Sequence, residues 1–123
     1  MRILLAEDLE SARAAMKLVL ESAGHDVVCV ENGAEAIEHS EQETFDVAVL
    51  DIWMPRLSGI DVLKALRNLR RPMPVILISG GGPGASLEQA TALGDIYGAA
   101  AVLYKPVDDK ELLAAISDAV ETA

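Results

Sequence analysis

The chain has 123 residues, of which 51% are apolar, enough for one globular domain with a sizeable core. Only 3% are aromatic, so the core must be built from aliphatic side chains. Ten basic and twenty acidic side chains give a formal net charge of −10, which argues against nucleic acid and anionic membranes as partners.

The first two strands are predicted at residues 2–6 and 26–30, where Val, Ile and Leu dominate with little polar alternation. Such runs are typical of strands that are covered on both faces. Apolar residues at helical spacing follow each strand, over residues 9–23 and 34–40. Gly24 is the expected end of the first helix, because glycine commonly terminates helices.

The third and fourth strands are predicted at residues 46–50 and 74–78, and their helices over residues 57–69 and 87–97. Pro72 ends the third helix, since proline cannot continue it.

The fifth strand is predicted at residues 99–104, and its helix begins at Asp108 and Asp109, where the helix dipole favours anions. Five strands thus alternate with five helices along the chain. This alternation predicts an α/β fold with a parallel sheet, helices on both sides and right-handed crossovers. A closed barrel needs about eight such units. We therefore expect an open, doubly wound sheet in a single domain over residues 1–123.

Polar side chains follow four of the predicted strands: Glu7 and Asp8, then Asp51, Ser79 and Lys105. Ligands of such sheets bind beyond the carboxyl ends of the strands, so these residues are expected to lie together. Three carboxylates at one edge repel each other unless a divalent cation lies among them. Hard oxygen ligands without histidine indicate Mg²⁺, with Mn²⁺ as the alternative.

A lysine and a hydroxyl at the same edge predict phosphoryl chemistry. Lys105 and Ser79 supply a cation and a hydrogen-bond donor, both suited to phosphoryl oxygens. A carboxylate among them can attack phosphorus and form an aspartyl phosphate. Each residue alone also has an ordinary explanation, such as a turn at Asp51. It is the joint pattern over four strand ends that favours a site.

The motifs ILLAEDL, VLDIWMPRLSG, VILISG and AVLYKP resemble the receiver domain of two-component response regulators, in order and spacing, over essentially the whole chain. The resemblance implies a (βα)5 flavodoxin-like receiver fold with strand order 2-1-3-4-5. It implies Asp51 as the phosphorylated residue. Asp8, Asp51 and the backbone carbonyl of Trp53 would bind the metal directly, and Glu7 would do so through water.

The resemblance also implies the roles of the remaining site residues and the partners. Ser79 and Lys105 would bind the phosphoryl group, and the Lys105–Pro106 bond would be cis. Phosphoryl transfer would be Mg²⁺-dependent, from a phosphohistidine of a histidine kinase or histidine phosphotransfer protein, followed by autodephosphorylation. A conformational change would pass to an output protein of unknown identity. We expect a monomer or weak dimer.

Three features depart from the family pattern. Glu7 replaces the usual aspartate. Val102 occupies the position of the aromatic switch residue, whereas Tyr104 directly precedes Lys105. The glycine-rich run SGGGPGAS over residues 79–86 lengthens the fourth connection, and we hypothesise that this loop carries the conformational response.

The remaining predictions concern the surface and the cell compartment. Tyr97 and Tyr104 are expected to contact the output protein. Trp53, the sole tryptophan, either covers loop surface or has a functional role, in which it shields the acyl phosphate from water or contacts the phosphodonor. Cys29 is the only cysteine, which fits a reducing cytoplasm, and no signal peptide or membrane segment is expected.

Three other functions fit the sequence less well than the receiver. A phosphohydrolase of the haloacid dehalogenase type requires a second aspartate where this chain has Trp53. A flavodoxin-like cofactor binder would need an aromatic pair to enclose a flavin, and none is available. A degenerate receiver would lack residues that this chain retains. The sequence leaves open whether the domain is a stand-alone protein or part of a longer regulator.

Overall fold

The computed structural model describes residues 1–54, 57–69, 73–80, 92 and 98–121. Five parallel strands form one sheet in the order β2-β1-β3-β4-β5. The strands are β1 (Arg2–Ala6), β2 (Asp26–Val30), β3 (Val47–Asp51), β4 (Val75–Ser79) and β5 (Ala101–Tyr104). This order confirms the predicted doubly wound, flavodoxin-like fold.

Helices connect the strands on both sides of the sheet. Those in the described part of the chain are α1 (Glu10–Ser22), α2 (Gly33–Gln42), α3 (Gly59–Arg67) and α4 (Asp109–Glu121). The helix predicted over residues 87–97 falls, apart from Ala92, outside the described residues. None of the described helices is long and apolar enough to cross a membrane.

The two faces of the sheet carry separate hydrophobic clusters. Alternate residues of β1 show the division: Leu4 packs on the side of α2 and α3, and Leu5 on the side of α1 and α4. Every residue of β3 and β4 is buried, whereas the edge strands β2 and β5 are mostly half-buried. The sequence therefore correctly identified strands that are covered on both faces.

The predicted bounds of two strands were wrong by one residue at each end. β3 and β4 begin and end one position later than expected, so that Asp51 and Ser79 are the last residues of their strands. β3 continues through Asp51 because the hydrogen bonds between strands come from the backbone and do not depend on the side chain. Asp51 pairs with Ile78, and the Ile52 N–H donates to the Ile78 carbonyl at 2.9 Å. β5 likewise begins two residues later than expected, at Ala101.

Side-chain caps mark the starts of three helices. Asn32 accepts the Glu35 N–H at α2, and Ser58 and Asp61 form a capping box at α3. Asp108 accepts the Glu111 N–H at α4. At α1 the capping position is Leu9, which has no acceptor and is 58% exposed. The expectation that Leu9 belongs to the apolar stripe of α1 was therefore wrong, because its side chain lies outside the helix.

Candidate functional site

The carboxyl edge of the sheet collects the polar residues that the sequence placed at strand ends. Neighbouring strands in the order β1-β3-β4-β5 deliver Glu7, Asp51, Ser79 and Lys105 in turn. Asp51 and Ser79 are only 4% and 2% exposed. Polar groups at such depth are unusual without a ligand or a partner.

Three carboxylates form a compact acidic cluster. Glu7, Asp8 and Asp51 each contribute an oxygen, and these oxygens lie within 4.8 Å of one another. Glu7 is fully buried, and its Oε2 has no hydrogen-bond partner within the described part of the chain. A buried, unpartnered carboxylate oxygen beside two more hard oxygen donors fits a hard divalent cation.

Lys105 joins two of these carboxylates. Its Nζ donates to Glu7 Oε1 at 2.8 Å and to Asp51 Oδ2 at 3.3 Å. Partial burial lowers the pKa of Lys105, but the hydrogen bonds and charges of Glu7 and Asp51 outweigh it and raise the pKa above its usual value. The side chain is therefore a fixed positive charge at this edge.

The pKa of Glu7 is shifted in the direction that favours its neutral form. Burial is the largest cause, and the neighbouring Asp51 adds to it, so that the pKa of Glu7 rises to about 7. The ammonium of Lys105 opposes this shift but does not cancel it. The positive charge of one lysine thus does not neutralise the acidic cluster, and an added cation would favour the ionised form of Glu7.

The turn after β3 encloses the carboxylate of Asp51. The backbone N–H of Trp53 donates to Asp51 Oδ1 at 3.2 Å, while Lys105 holds Oδ2. The Trp53 backbone thus lies beside the acidic cluster, and its side chain is 38% exposed. Both oxygens of Asp51 are oriented by donors on different strands and turns.

Ser79 is buried with its hydroxyl unused. Its Oγ has no hydrogen-bond partner among the residues that the structure describes, although its carbonyl accepts the Lys105 N–H at 2.9 Å. A buried hydroxyl without a partner reduces stability. At the next residue, Gly80, a Cβ would lie 3.0 Å from Cδ of Lys105, so the absent side chain leaves room for the lysine stem.

Gly59 supports the site, and the sequence analysis did not identify it. A Cβ on Gly59 would lie 2.5 Å from the carbonyl oxygen of Asp51 and 2.9 Å from Cα of Ile52. The Gly59 N–H also donates to the Ile52 carbonyl at 2.9 Å. The start of α3 therefore rests directly on the backbone of Asp51. The signal in the sequence was a glycine directly after the capping Ser58, where a helix former is expected.

The predicted switch residues are only partly described. Val102 and Tyr104 lie on the same face of the sheet and pack against the same cluster. Tyr104 pairs in register with Ser79. Tyr97 and residues 81–86 of the glycine-rich run lie outside the described residues. The Lys105–Pro106 peptide bond is cis, as the resemblance implied.

Comparisons with known proteins agree with this geometry. The family model of the response regulator receiver domain matches residues 3–117. The sensory/regulatory protein RpfC of Xanthomonas campestris pv. campestris is 35% identical over 122 residues, which is 96% of this chain and 16% of that protein. The transcriptional regulatory protein CpxR of Escherichia coli is 36% identical over 115 residues, covering 94% of this chain and 47% of CpxR.

A solved structure shows the same fold over nearly the whole chain. The CheY-like response regulator receiver domain protein of Methanospirillum hungatei superposes with a TM-score of 0.88 at 30% identity, covering 98% of this chain and 94% of that one. The chain spans less than half the length of RpfC and CpxR. These findings favour the receiver over the phosphohydrolase and the flavin binder. The chain belongs to the response regulator receiver domain family of two-component systems.

Proposed function

We propose that Asp51 accepts a phosphoryl group from a phosphohistidine, carried by a histidine kinase or a histidine phosphotransfer protein. The observation that carries this proposal is the contact of Lys105 with both Asp51 and Glu7, beside a third carboxylate, at the edge of the sheet where ligands bind. The family match covers residues 3–117, which supports a single receiver domain over the chain.

Asp51 is the nucleophile in this proposal. One carboxylate oxygen attacks phosphorus, an O–P bond forms, and the N–P bond of the phosphohistidine breaks. The electron pair of the broken bond stays on the imidazole nitrogen of the donor. The donors on Oδ1 and Oδ2, Trp53 N–H and Lys105, hold the carboxylate in a defined orientation before the attack.

Lys105 and Ser79 would stabilise the transferred group. Once an oxygen of Asp51 is bonded to phosphorus, Lys105 can donate to the phosphoryl oxygens instead of to the carboxylate. The unpartnered hydroxyl of Ser79, on the neighbouring strand, is a second donor that needs no other hydrogen bond to be broken. Binding of the phosphoryl group would explain why the fold retains a buried hydroxyl that lowers its stability.

The acidic cluster suits Mg²⁺, with Mn²⁺ as the alternative. Asp8, Asp51 and the backbone carbonyl of Trp53 would hold the ion, and Glu7 would act through a bound water. The cation would neutralise charge on the transferring phosphoryl group. The fit rests on the hard oxygen donors within 4.8 Å of one another and on the unpartnered Oε2 of Glu7.

The chain would catalyse its own phosphorylation and dephosphorylation, and no reaction on another substrate. Water attacks phosphorus, the bond to Asp51 breaks, and inorganic phosphate leaves. A phosphorylated chain would signal to an output protein through a conformational change, for which Val102, Tyr104 and Tyr97 are candidate residues. The expected cytoplasmic location, the absence of nucleic-acid and membrane partners, and a monomer or weak dimer belong to the same proposal.

A degenerate receiver that works without phosphorylation is the alternative, and one experiment separates the two. The protein is incubated with acetyl phosphate and MgCl₂ and its intact mass is measured. We expect one added phosphoryl group in the wild type and in Asp26→Asn, an exposed aspartate at the opposite edge of the sheet, and none in Asp51→Asn. An adduct that persists in Asp51→Asn would contradict the proposal.

A further inference from the structure

Arg13 reaches from α1 to the backbone of the acidic cluster. It is the fourth residue of the helix, and its Nη1 donates to the carbonyl oxygen of Glu7 at 2.9 Å. Its Nη2 lies 3.6 Å from Oε1 of Glu31, in the loop after β2. The Arg13 side chain is only 16% exposed, whereas Glu31 is 69% exposed.

The carbonyl that Arg13 holds belongs to the peptide group between Glu7 and Asp8. A peptide group is planar, so fixing its oxygen restricts the orientation of the Cα atoms on both sides. The Glu7 N–H is already tied to the Val30 carbonyl at 3.2 Å. Together these two contacts fix the backbone from which the carboxylates of Glu7 and Asp8 project.

The start of α1 has no side-chain cap that could hold this segment. Its capping residue is Leu9, whose side chain can accept no hydrogen bond from the first turn. A guanidinium with five donors in a rigid fork is suited to bridge a carbonyl and a carboxylate from one position. Arg13 therefore supplies, from within the helix, an anchor that the missing cap does not.

Arg13 and Lys105 act on Glu7 in different ways. Lys105 occupies the carboxylate oxygen Oε1, so it competes with a metal ion for that oxygen. Arg13 occupies the backbone oxygen and leaves the carboxylates of Glu7 and Asp8 to other ligands. Among the described residues, the only carboxylate it pairs with is that of Glu31, which lies outside the acidic cluster.

We propose that Arg13 is a positioning residue that holds the Glu7–Asp8 peptide so that both carboxylates face a divalent cation. The inference rests on the proposed function in one respect, namely that the acidic cluster binds Mg²⁺. Residues that orient metal ligands from outside the ligand shell typically change metal affinity by about 10- to 100-fold when they are replaced.

The test is a titration of the metal-free protein with MgCl₂, followed by the fluorescence of Trp53. Arg13→Met keeps the apolar stem and removes every donor, and we expect about tenfold weaker binding. Arg13→Lys retains one donor group and should recover part of the affinity. Glu31→Gln should stay within about twofold of the wild type, because an exposed ion pair contributes little.

A second measurement separates positioning from general loss of stability. In EDTA, Arg13→Met should shift the carbonyl-carbon NMR resonance of Glu7, whereas Glu31→Gln should leave it in place. If the wild type shows no saturable response to MgCl₂, the metal site is wrong and the inference fails with it. If the wild type binds and Arg13→Met binds equally well, only the role of Arg13 is overturned.

Discussion

The ammonium of Lys105 lies 2.8 Å from Oε1 of the fully buried Glu7, yet the pKa of Glu7 is still raised to about 7. The desolvation of Glu7, together with the hydrogen bonding and charge of the neighbouring Asp51, outweighs the attraction of one lysine. The metal-free site thus holds more negative charge than its own cation can neutralise, and this imbalance has measurable consequences.

Glu7 should make the stability of the metal-free protein fall as the pH rises. Its pKa of about 7 exceeds the ordinary value of 4.5, so the native state binds the proton more tightly than the unfolded state. The contribution is fully present below about pH 4.5 and is lost as the pH rises through about 7. Because a tenfold change in proton affinity corresponds to about 1.4 kcal/mol, the loss is on the order of 3 kcal/mol.

Urea unfolding in EDTA at about pH 5 and about pH 8 measures this effect. Glu7→Gln should flatten the dependence of the unfolding free energy on pH, because the amide keeps an oxygen for Lys105 but carries no titratable proton. Glu38→Gln, on the exposed face of α2, is the matched control and should retain the wild-type slope. Equal slopes for wild type and Glu7→Gln would contradict the prediction.

Ser79→Ala should slow phosphorylation without lowering the unfolding free energy. Because the buried hydroxyl lacks a partner in the described part of the chain, its removal should leave the unfolding free energy unchanged or raise it by about 1 kcal/mol. Phosphorylation by acetyl phosphate should slow by about tenfold, since a donor to the phosphoryl group is lost.

Ser40→Ala is the control with the opposite expectation. The Ser40 hydroxyl is also buried, but it donates to the Ala36 carbonyl at 2.7 Å. Loss of this hydrogen bond should lower the unfolding free energy by about 1 kcal/mol and leave the rate of phosphorylation unchanged. If Ser79→Ala destabilises the protein as much as Ser40→Ala does and phosphorylates normally, Ser79 has only a structural role.

Gly59→Ala should disturb Asp51 through the backbone. The new Cβ would overlap the Asp51 carbonyl oxygen, so α3 or the end of β3 must move, at a cost of about 1–3 kcal/mol. We expect slower phosphorylation by acetyl phosphate as well as a lower unfolding free energy.

Gly24→Ala provides a comparison at a distant position. Gly24 has a φ of 92° with nothing near its Cβ position, so alanine there costs about 1 kcal/mol through backbone strain alone. That variant should phosphorylate at the wild-type rate. Equal phosphorylation rates in the two glycine variants would show that Gly59 does not position Asp51.

The strand ends of the site were predictable from the sequence because parallel strands place their carboxyl ends at one edge. This rule is enough to bring Glu7, Asp51 and Lys105 together without any knowledge of side-chain geometry. It could not reveal that Lys105 contacts Glu7 directly, since the choice of partner depends on burial and on the conformation of a long, flexible side chain.

The aromatic residue beside the site illustrates a second limit. Tyr104 is displaced along the chain from the usual switch position at Val102, yet both side chains lie on one face of β5, because residues two apart in a strand share a face. Its pairing with Ser79 follows from the strand register, which the sequence did not define. Whether the glycine-rich loop carries the response stays a prediction, since residues 81–86 lie outside the described residues.

The central claim is that Asp51 carries the phosphoryl group. The phosphorylated residue can be identified chemically. After phosphorylation by acetyl phosphate in MgCl₂, borohydride reduces an acyl phosphate to an alcohol and so converts the modified aspartate to homoserine. Peptide mass spectrometry then identifies the altered position. We predict homoserine at position 51 only, dependent on MgCl₂. Homoserine at position 8, or no reduced residue in the protein, would contradict the account.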